Sequence, residues 1–251
     1  MSLGRNRLAH KVGRAVHRPG LVVTYFRRRF RNRRLRTRNP DHVAFYRAVM
    51  ADDIARKSAR AAVGTPSEER WLALGKMQHE FMVERGLERD HRMLELGCGN
   101  LRAGWRFIRY LKPGHYVGVD ISPEILLAAE RTIVERGLQE RRPSLFVVDG
   151  TSLDFLPADH FDAVHAHSVF SHCPIDVVEA SMRAAWRVMR PGGWFDFTYN
   201  ESEGGEWQFL DEDFYYPTAT LLGLGEQIGF EAAPMDDWHY KQAKIRLVKP
   251  G

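Results

Sequence analysis

Leu94-Glu95-Leu96-Gly97-Cys98-Gly99-Asn100 is the segment of this chain with the most chemistry in it. An apolar run ends in two glycines separated by one residue, the pattern of a strand turning sharply into a helix. Glycine lets the backbone turn and lets a ligand approach with no Cβ in the way. The unpaired N–H groups at the start of the helix suit an anionic group. A tight turn with no ligand would have the same local pattern. Asp120 stands twenty-one positions after Gly99, where an acid ending the next strand can accept both hydroxyls of a ribose. It could equally cap the helix opened by Ser122-Pro123. Together the two features point to an adenosine-containing ligand, and they leave open a dinucleotide or S-adenosylmethionine.

Three histidines, His165, His167 and His172, fall near the end of a later apolar run. An unperturbed imidazole titrates near about 6.5, which suits general-base work. His165 and His167, two positions apart, share one face of a strand. His172 lies just beyond, ahead of Pro174. We take His172 as the base and His167 as an acceptor-positioning group or alternate base, with a structural hydrogen bond as the bland alternative for each. These histidines and Cys173 match no zinc spacing, so no metal ligand is assigned.

Such residues need elements to hold them. Strand patterns occur over 93–96, 116–119, 145–148, 161–166 and 194–199, separated by helical periodicity. That alternation implies crossover connections and a parallel sheet, whose ligand site lies beyond the carboxyl ends of its strands. The C-terminus differs. A helix over 218–229 precedes strands over 230–235 and 243–248, and the link between these two is too short for a parallel crossover. Ahead of the sheet, 41–62 reads as one helix broken at Gly64. Thr65-Pro66-Ser67-Glu68 then reads as a new helix start, with Thr65 as N-cap and Pro66 in the first turn.

In this order the motifs resemble those of the class I S-adenosylmethionine-dependent methyltransferases, over about 92–199. Glu95-Leu96-Gly97-Cys98-Gly99 is similar to that family's first motif, and Gly118-Val119-Asp120-Ile121-Ser122 to its ribose-binding segment. Phe146-Val147-Val148-Asp149-Gly150 resembles the segment whose acid faces the adenine amine. Residues 161–174 resemble the fourth-strand motif beside the transferred methyl, and Met189-Arg190-Pro191-Gly192-Gly193-Trp194 the turn before the fifth strand.

The resemblance implies an α/β fold with a doubly wound, mostly parallel, seven-stranded Rossmann-like sheet, an antiparallel last strand and N-terminal helices. It implies S-adenosyl-L-methionine as cofactor, contacted by Glu95, Gly97, Gly99, Arg102, Asp120, Ile121, Asp149 and Gly150, with Gln78 on the preceding helix near the methionine end. The chain departs from the family at Leu101, where a third glycine is common, and at Arg102 inside the loop. Arg102 could pair with the cofactor carboxylate or be an ordinary surface arginine; a dinucleotide site would want glycine there. The chain thus divides into a basic arm (1–40), N-terminal helices packing on the core (41–90) and a methyltransferase catalytic domain (91–251).

The histidines favour an oxygen acceptor on a small molecule, sugar or lipid-linked glycan. RNA or protein methylation is the rival within the same chemistry, and a non-catalytic adenosyl-binding protein is the rival of another class. Residues 200–207, with their acids and Trp207, and residues 236–240, with Trp238 and Tyr240, are candidate walls of the acceptor pocket.

Of 251 residues, 44% are hydrophobic and 27% charged, which excludes wholesale disorder and low-complexity classes. Residues 1–40 hold thirteen of the 37 basic residues and none of the 32 acids. This arm is therefore +13 and the rest of the chain −8, so nucleic acid gains no support from the body. The arm suits an anionic membrane surface, because Leu21, Val22, Val23, Tyr25, Phe26 and Phe30 interleave with its arginines. It also has features of a transit peptide, could dock on the acidic body, or could be a solvated tail. No apolar run approaches the roughly 18 residues of a membrane span, and residues 21–26 are too few for a signal-peptide core. The two cysteines, Cys98 and Cys173, read as reduced thiols. The expected location is cytoplasmic, peripheral at the inner membrane face.

Overall fold

The computed structural model describes residues 19–65 and 67–251. The first eighteen residues of the basic arm, and Pro66 with its expected place at a helix start, lie outside the described residues.

Among the described residues, four helices precede the sheet: α1 (Pro19–Arg38), α2 (His42–Arg56), α3 (Ala59–Ala62) and α4 (Glu68–Glu84). The sheet contains β1 (Met93–Leu96), β2 (Tyr116–Asp120), β3 (Ser144–Val147), β4 (Phe161–Ala166) and β5 (Met189–Glu201). Helices α5 (Gly104–Tyr110), α6 (Pro123–Glu135) and α7 (Ile175–Val188) lie between these strands in the chain. Beyond β5 come β6 (Trp207–Phe209), β7 (Asp213–Tyr216), α8 (Thr218–Ile228), β8 (Glu231–Pro234) and β9 (Ala243–Val248).

Capping chemistry explains the N-terminal breaks. Asp41 accepts from the Ala44 amide at 2.8 Å to open α2, and Ser58 accepts from the Ala61 amide at 3.1 Å to open α3. The single helix expected over 41–62 is thus two, because Ser58 restarts the chain as an N-cap. Thr65 is not the cap of α4. Ser67, in extended backbone conformation, accepts from the Arg70 amide, while Thr65 is fully buried two residues earlier.

The strand order is β3-β2-β1-β4-β5, with all neighbours parallel. The four residues of β1 and the six of β4 are all buried, as expected for strands covered on both faces. One apolar layer joins Val178, Met182, Ala185 and Val188 of α7 to Phe195 and Phe197 of β5. The opposite layer joins Trp71 of α4, Phe107 and Ile108 of α5, and Leu126 and Ala129 of α6. Burying each large side chain in these layers stabilises the fold by about 1.5–3 kcal/mol.

Strand β9 pairs antiparallel with β5 from Trp194↔Val248 to Tyr199↔Ala243, and β8 pairs antiparallel with β9. The seven expected strands are therefore present, with the C-terminal pair antiparallel. The hairpin β6–β7 is an addition. No strand is expected from the sequence over 200–217, yet β5 runs on to Glu201 and pairs there in parallel with β7, making nine strands among the described residues.

The later half of the basic arm is the helix α1, seated on the body. Arg28, Arg31 and Asn32 all donate to the Glu212 carboxylate, at 2.7, 2.6 and 2.5 Å, and Arg31 also reaches Asp53 at 2.8 Å. Of the partners considered for the arm, the acidic body takes this face.

Candidate active site

A cavity of about 570 Å³ opens beyond the carboxyl ends of the parallel strands. Glu95, Gly97, Gly99, Arg102, Asp120, Ile121, Gly150, Gln78, His167 and His172 all line it. Asp149 does not: it is exposed and stands off the wall, while its neighbours Val148 and Gly150 face the space.

The glycine loop has the geometry its composition requires. Gly97 and Gly99 take φ of +64° and +57°, in the left-handed region. A Cβ on Gly97 would sit 2.5 Å from a methyl of Val169, so close approach as well as conformation reserves this position. Leu101 also takes positive φ, +62°, with its side chain fully buried. A left-handed non-glycine residue costs about 1 kcal/mol, and burial of the leucine offsets it.

Asp120 ends β2 and holds the loop. Its two oxygens accept from the amides of Gly99 and Ser122, each at 2.9 Å. Burial pushes its pKa above the ordinary carboxylate value, and the Ser122 and Gly99 amides pull it back. The helix cap is Ser122, which accepts from Ile125, and Asp120 lines the cavity. Glu95 is buried and accepts from the Tyr116 hydroxyl. Desolvation pushes it up to about 7, against the lowering effects of that hydrogen bond and of Arg102.

Arg102 is no surface arginine. Its guanidinium lies against the cavity, donating to the Val63 carbonyl at 3.3 Å. Burial pulls it below its ordinary value and the Glu95 carboxylate raises it. Its Nε has no hydrogen-bond partner among the described residues, and neither has the Nε2 of Gln78, a side chain 1% exposed. Both residues line the cavity, and buried donors call for an acceptor. A carboxylate fits them, and vicinal hydroxyls fit Asp120.

The histidines divide. His165 is fully buried beneath the cavity, and burial, then Lys244 and Arg102, holds it neutral. His167 is on the wall. Burial, then Arg102, holds it well below its ordinary value, and Trp238 stands edge-on to it at 5.7 Å. His172 ends a short 3-10 turn, Phe170–His172, with Tyr46 stacked on it at 5.2 Å. Its Nδ1 lies 2.7 Å from the Glu212 carbonyl and 3.4 Å from an Asp213 carboxylate oxygen. A carbonyl can only accept, so Nδ1 carries the hydrogen and Nε2 of the neutral ring is left with its lone pair.

Of the expected acceptor walls, Asn200 and Tyr240 line the cavity and Trp238 does not; Lys241 and Gln242, just past the expected range, also line it. Trp207 instead stacks on Tyr215 at 3.7 Å, away from it. Several wall residues escaped sequence reasoning. Val43, Tyr46 and Met50 of α2 line the cavity, as do Arg70 and Leu74 of α4 and Ser168 after β4. The i, i+3, i+7 spacing of the α2 residues is the one signal that could have found them. Ser168 donates to Gln242, whose amide donates to Asn200, tying three chain segments together at the rim.

A doubly wound sheet with a glycine loop after its first strand and an acid ending its second is the frame of a Rossmann-like protein. Residues 94–195 match the family described as "Methyltransferase domain". Over this segment the chain is similar to the S-adenosylmethionine-dependent methyltransferases that its motifs resemble. It is 35% identical over 141 residues to an aklanonic acid methyltransferase of Streptomyces, covering 54% of this chain and 61% of that one. It is 27% identical over 132 residues to a sterol 24-C-methyltransferase of Neurospora crassa, covering 52% of this chain and 33% of that one. The chain thus spans less than two thirds of the length of these curated relatives. Among solved structures, magnesium protoporphyrin IX methyltransferase from Synechocystis, with bound SAH, superposes with a TM-score of 0.62 at 14% identity, covering 83% of this chain and all of that one.

Proposed function

We propose that this protein transfers a methyl group from S-adenosylmethionine to an oxygen of a small organic molecule, with His172 as general base. When bound, the cofactor supplies a methyl already activated by its sulfonium. What remains for the chain is to hold both partners and to manage one proton. Arg102 and Gln78 would take the carboxylate, Asp120 the ribose, and the Gly97–Gly99 loop the close approach of the ligand.

The observation that carries the oxygen acceptor is the His172–Glu212 hydrogen bond. It fixes the ring and its tautomer, leaving a basic nitrogen for an acceptor hydroxyl. His167, neutral and on the same wall, can donate to or accept from that hydroxyl. Apolar Val43, Tyr46 and Met50 beside these polar groups suit an organic skeleton rather than a polyphosphate chain. The names of the relatives agree on small organic acceptors, but the sterol enzyme's name specifies carbon, so His172 and not kinship selects oxygen.

The test is methyl transfer from labelled S-adenosylmethionine to a panel of phenols, carboxylic acids, sugars and amines. Transfer to hydroxyl compounds with a rate that rises as His172 loses its proton supports the reading. Transfer to amines alone removes the base. Adenosyl-ligand binding with no transfer to any acceptor favours a binding protein.

A further inference from the structure

Helix α1 uses only one face on the body. Tyr25, Arg28, Asn32 and Leu35 point inward, partly or fully buried. The opposite face carries Val23, Phe26 and Phe30, which are 49%, 59% and 75% exposed. Their spacing of i, i+3 and i+7 makes one apolar stripe along the helix. Arg27, Arg33 and Arg34 flank that stripe; all three are exposed, and none has a carboxylate partner among the described residues. A second feature lies beside it. Arg29, Arg33 and Arg36, with Tyr25 and Thr37, line a groove of about 580 Å³ between α1 and the turn at Leu210-Asp211.

We infer that the outer face of α1 is a docking surface for an anionic phospholipid bilayer. Phenylalanines this exposed on a helix already anchored by its other face are not kept for folding. Arginines on both sides of an apolar stripe match a headgroup layer, with phosphates at the level of the guanidinium groups and the rings below them. A nucleic acid would use the charges and leave the stripe in water. A second copy of this chain would bring another row of arginines against the first. No helix among the described residues is long and apolar enough to cross a membrane, so attachment at the surface is what this element offers. This inference does not depend on the acceptor proposed above, because vesicle binding and methyl transfer are read separately.

The experiment is co-sedimentation of the full chain with vesicles of phosphatidylcholine alone and of phosphatidylcholine mixed with phosphatidylglycerol. Three proteins are compared: wild type, Phe26→Ser/Phe30→Ser and Arg33→Gln/Arg34→Gln. None of these positions lines the adenosyl cavity, so S-adenosylhomocysteine affinity reports correct folding. The wild type is expected on the mixed vesicles and not on neutral ones. The arginine double variant should lose roughly thirtyfold in partitioning, the weight of two basic residues near an anionic surface, and the phenylalanine double variant roughly tenfold or more through lost apolar burial. Absence from both vesicle types overturns the inference. So does binding that ignores the phenylalanine substitutions, which would mark a bare polyelectrolyte such as a nucleic-acid contact. Sedimentation velocity showing a dimer that Phe30→Ser dissociates would make a second copy the occupant and equally overturn it.

Discussion

His172 Nδ1 and the backbone carbonyl of Glu212 lie 2.7 Å apart, joining the end of the β4 segment to the turn before β7. The same Glu212 holds Arg28, Arg31 and Asn32 of α1 through its side chain. One residue therefore orients the proposed base with its main chain and clamps the N-terminal helix with its carboxylate. The base is further enclosed by α2, since the His42 Nε2 contacts the His172 carbonyl at 2.8 Å and Tyr46 covers its ring.

His172→Ala should lower kcat by about a hundredfold to ten-thousandfold, the usual weight of a positioned general base. S-adenosylhomocysteine affinity should not change, because the cofactor-side groups lie on the glycine loop after β1, at the end of β2 and on α4. Calorimetry beside steady-state kinetics separates the two. Unchanged turnover would remove His172 from the chemistry.

Glu212→Ala keeps the carbonyl that orients His172 but strips the carboxylate from Arg28, Arg31 and Asn32. Arg31 and Asn32 are largely shielded from water there, so stability should fall by on the order of 1–3 kcal/mol. Thermal unfolding measures this. Protease cleavage within 19–38 should appear earlier than in wild type, as α1 loses its clamp. A melting temperature equal to wild type would show that the ion cluster contributes nothing net.

Arg102→Ala should weaken S-adenosylhomocysteine by roughly tenfold to a hundredfold, the value of one charge-assisted hydrogen bond. Binding of methylthioadenosine, which lacks the carboxylate, should change little. Equal losses for both ligands would mean that Arg102 shapes the loop rather than binding the carboxylate. Gln78→Leu should follow the same split with a smaller loss.

Glu95 sets a pH dependence on the ligand-free protein. Its folded-state value of about 7 lies above the ordinary carboxylate value of 4.5. The folded chain therefore holds this proton more tightly than the unfolded chain, and stability falls as pH rises from about 4.5 to about 7. Removing the charge by Glu95→Gln keeps an acceptor for the Tyr116 hydroxyl and abolishes the fall. The variant should gain on the order of 2 kcal/mol over wild type at neutral pH and little below about pH 5. Denaturant melts across that range decide it, and parallel curves for the two proteins would refute the assignment.

Much of the cofactor side was legible in the residues themselves because its determinants are local. Gly97 and Gly99 must take positive φ wherever the chain turns so tightly, and Asp120 must end a strand that alternates into Ser122-Pro123. The apolar Met93, Leu94 and Leu96 of β1 and the helical spacing of Val178, Met182 and Ala185 encode burial without knowledge of any partner. The short link between β8 and β9 forbids a parallel crossover by its length alone.

What the tertiary structure decided are relations between residues far apart in the chain, which no local pattern encodes. Thr65 has the composition of a cap, but packing buried it and left the task to Ser67. Asp149 has the sequence context of a cofactor residue, yet the end of β3 directs it to solvent. Arg102 could have been a surface side chain until α4 and Val63 closed over it beside Gln78. The hairpin β6–β7 exists because β5 runs on far enough to pair with β7, and α1 docks because Glu212, some 180 positions away, meets its arginines. Local conformation follows from each residue's own sterics and hydrogen-bonding groups. Side-chain neighbours across such separations follow only from the packing of the whole chain.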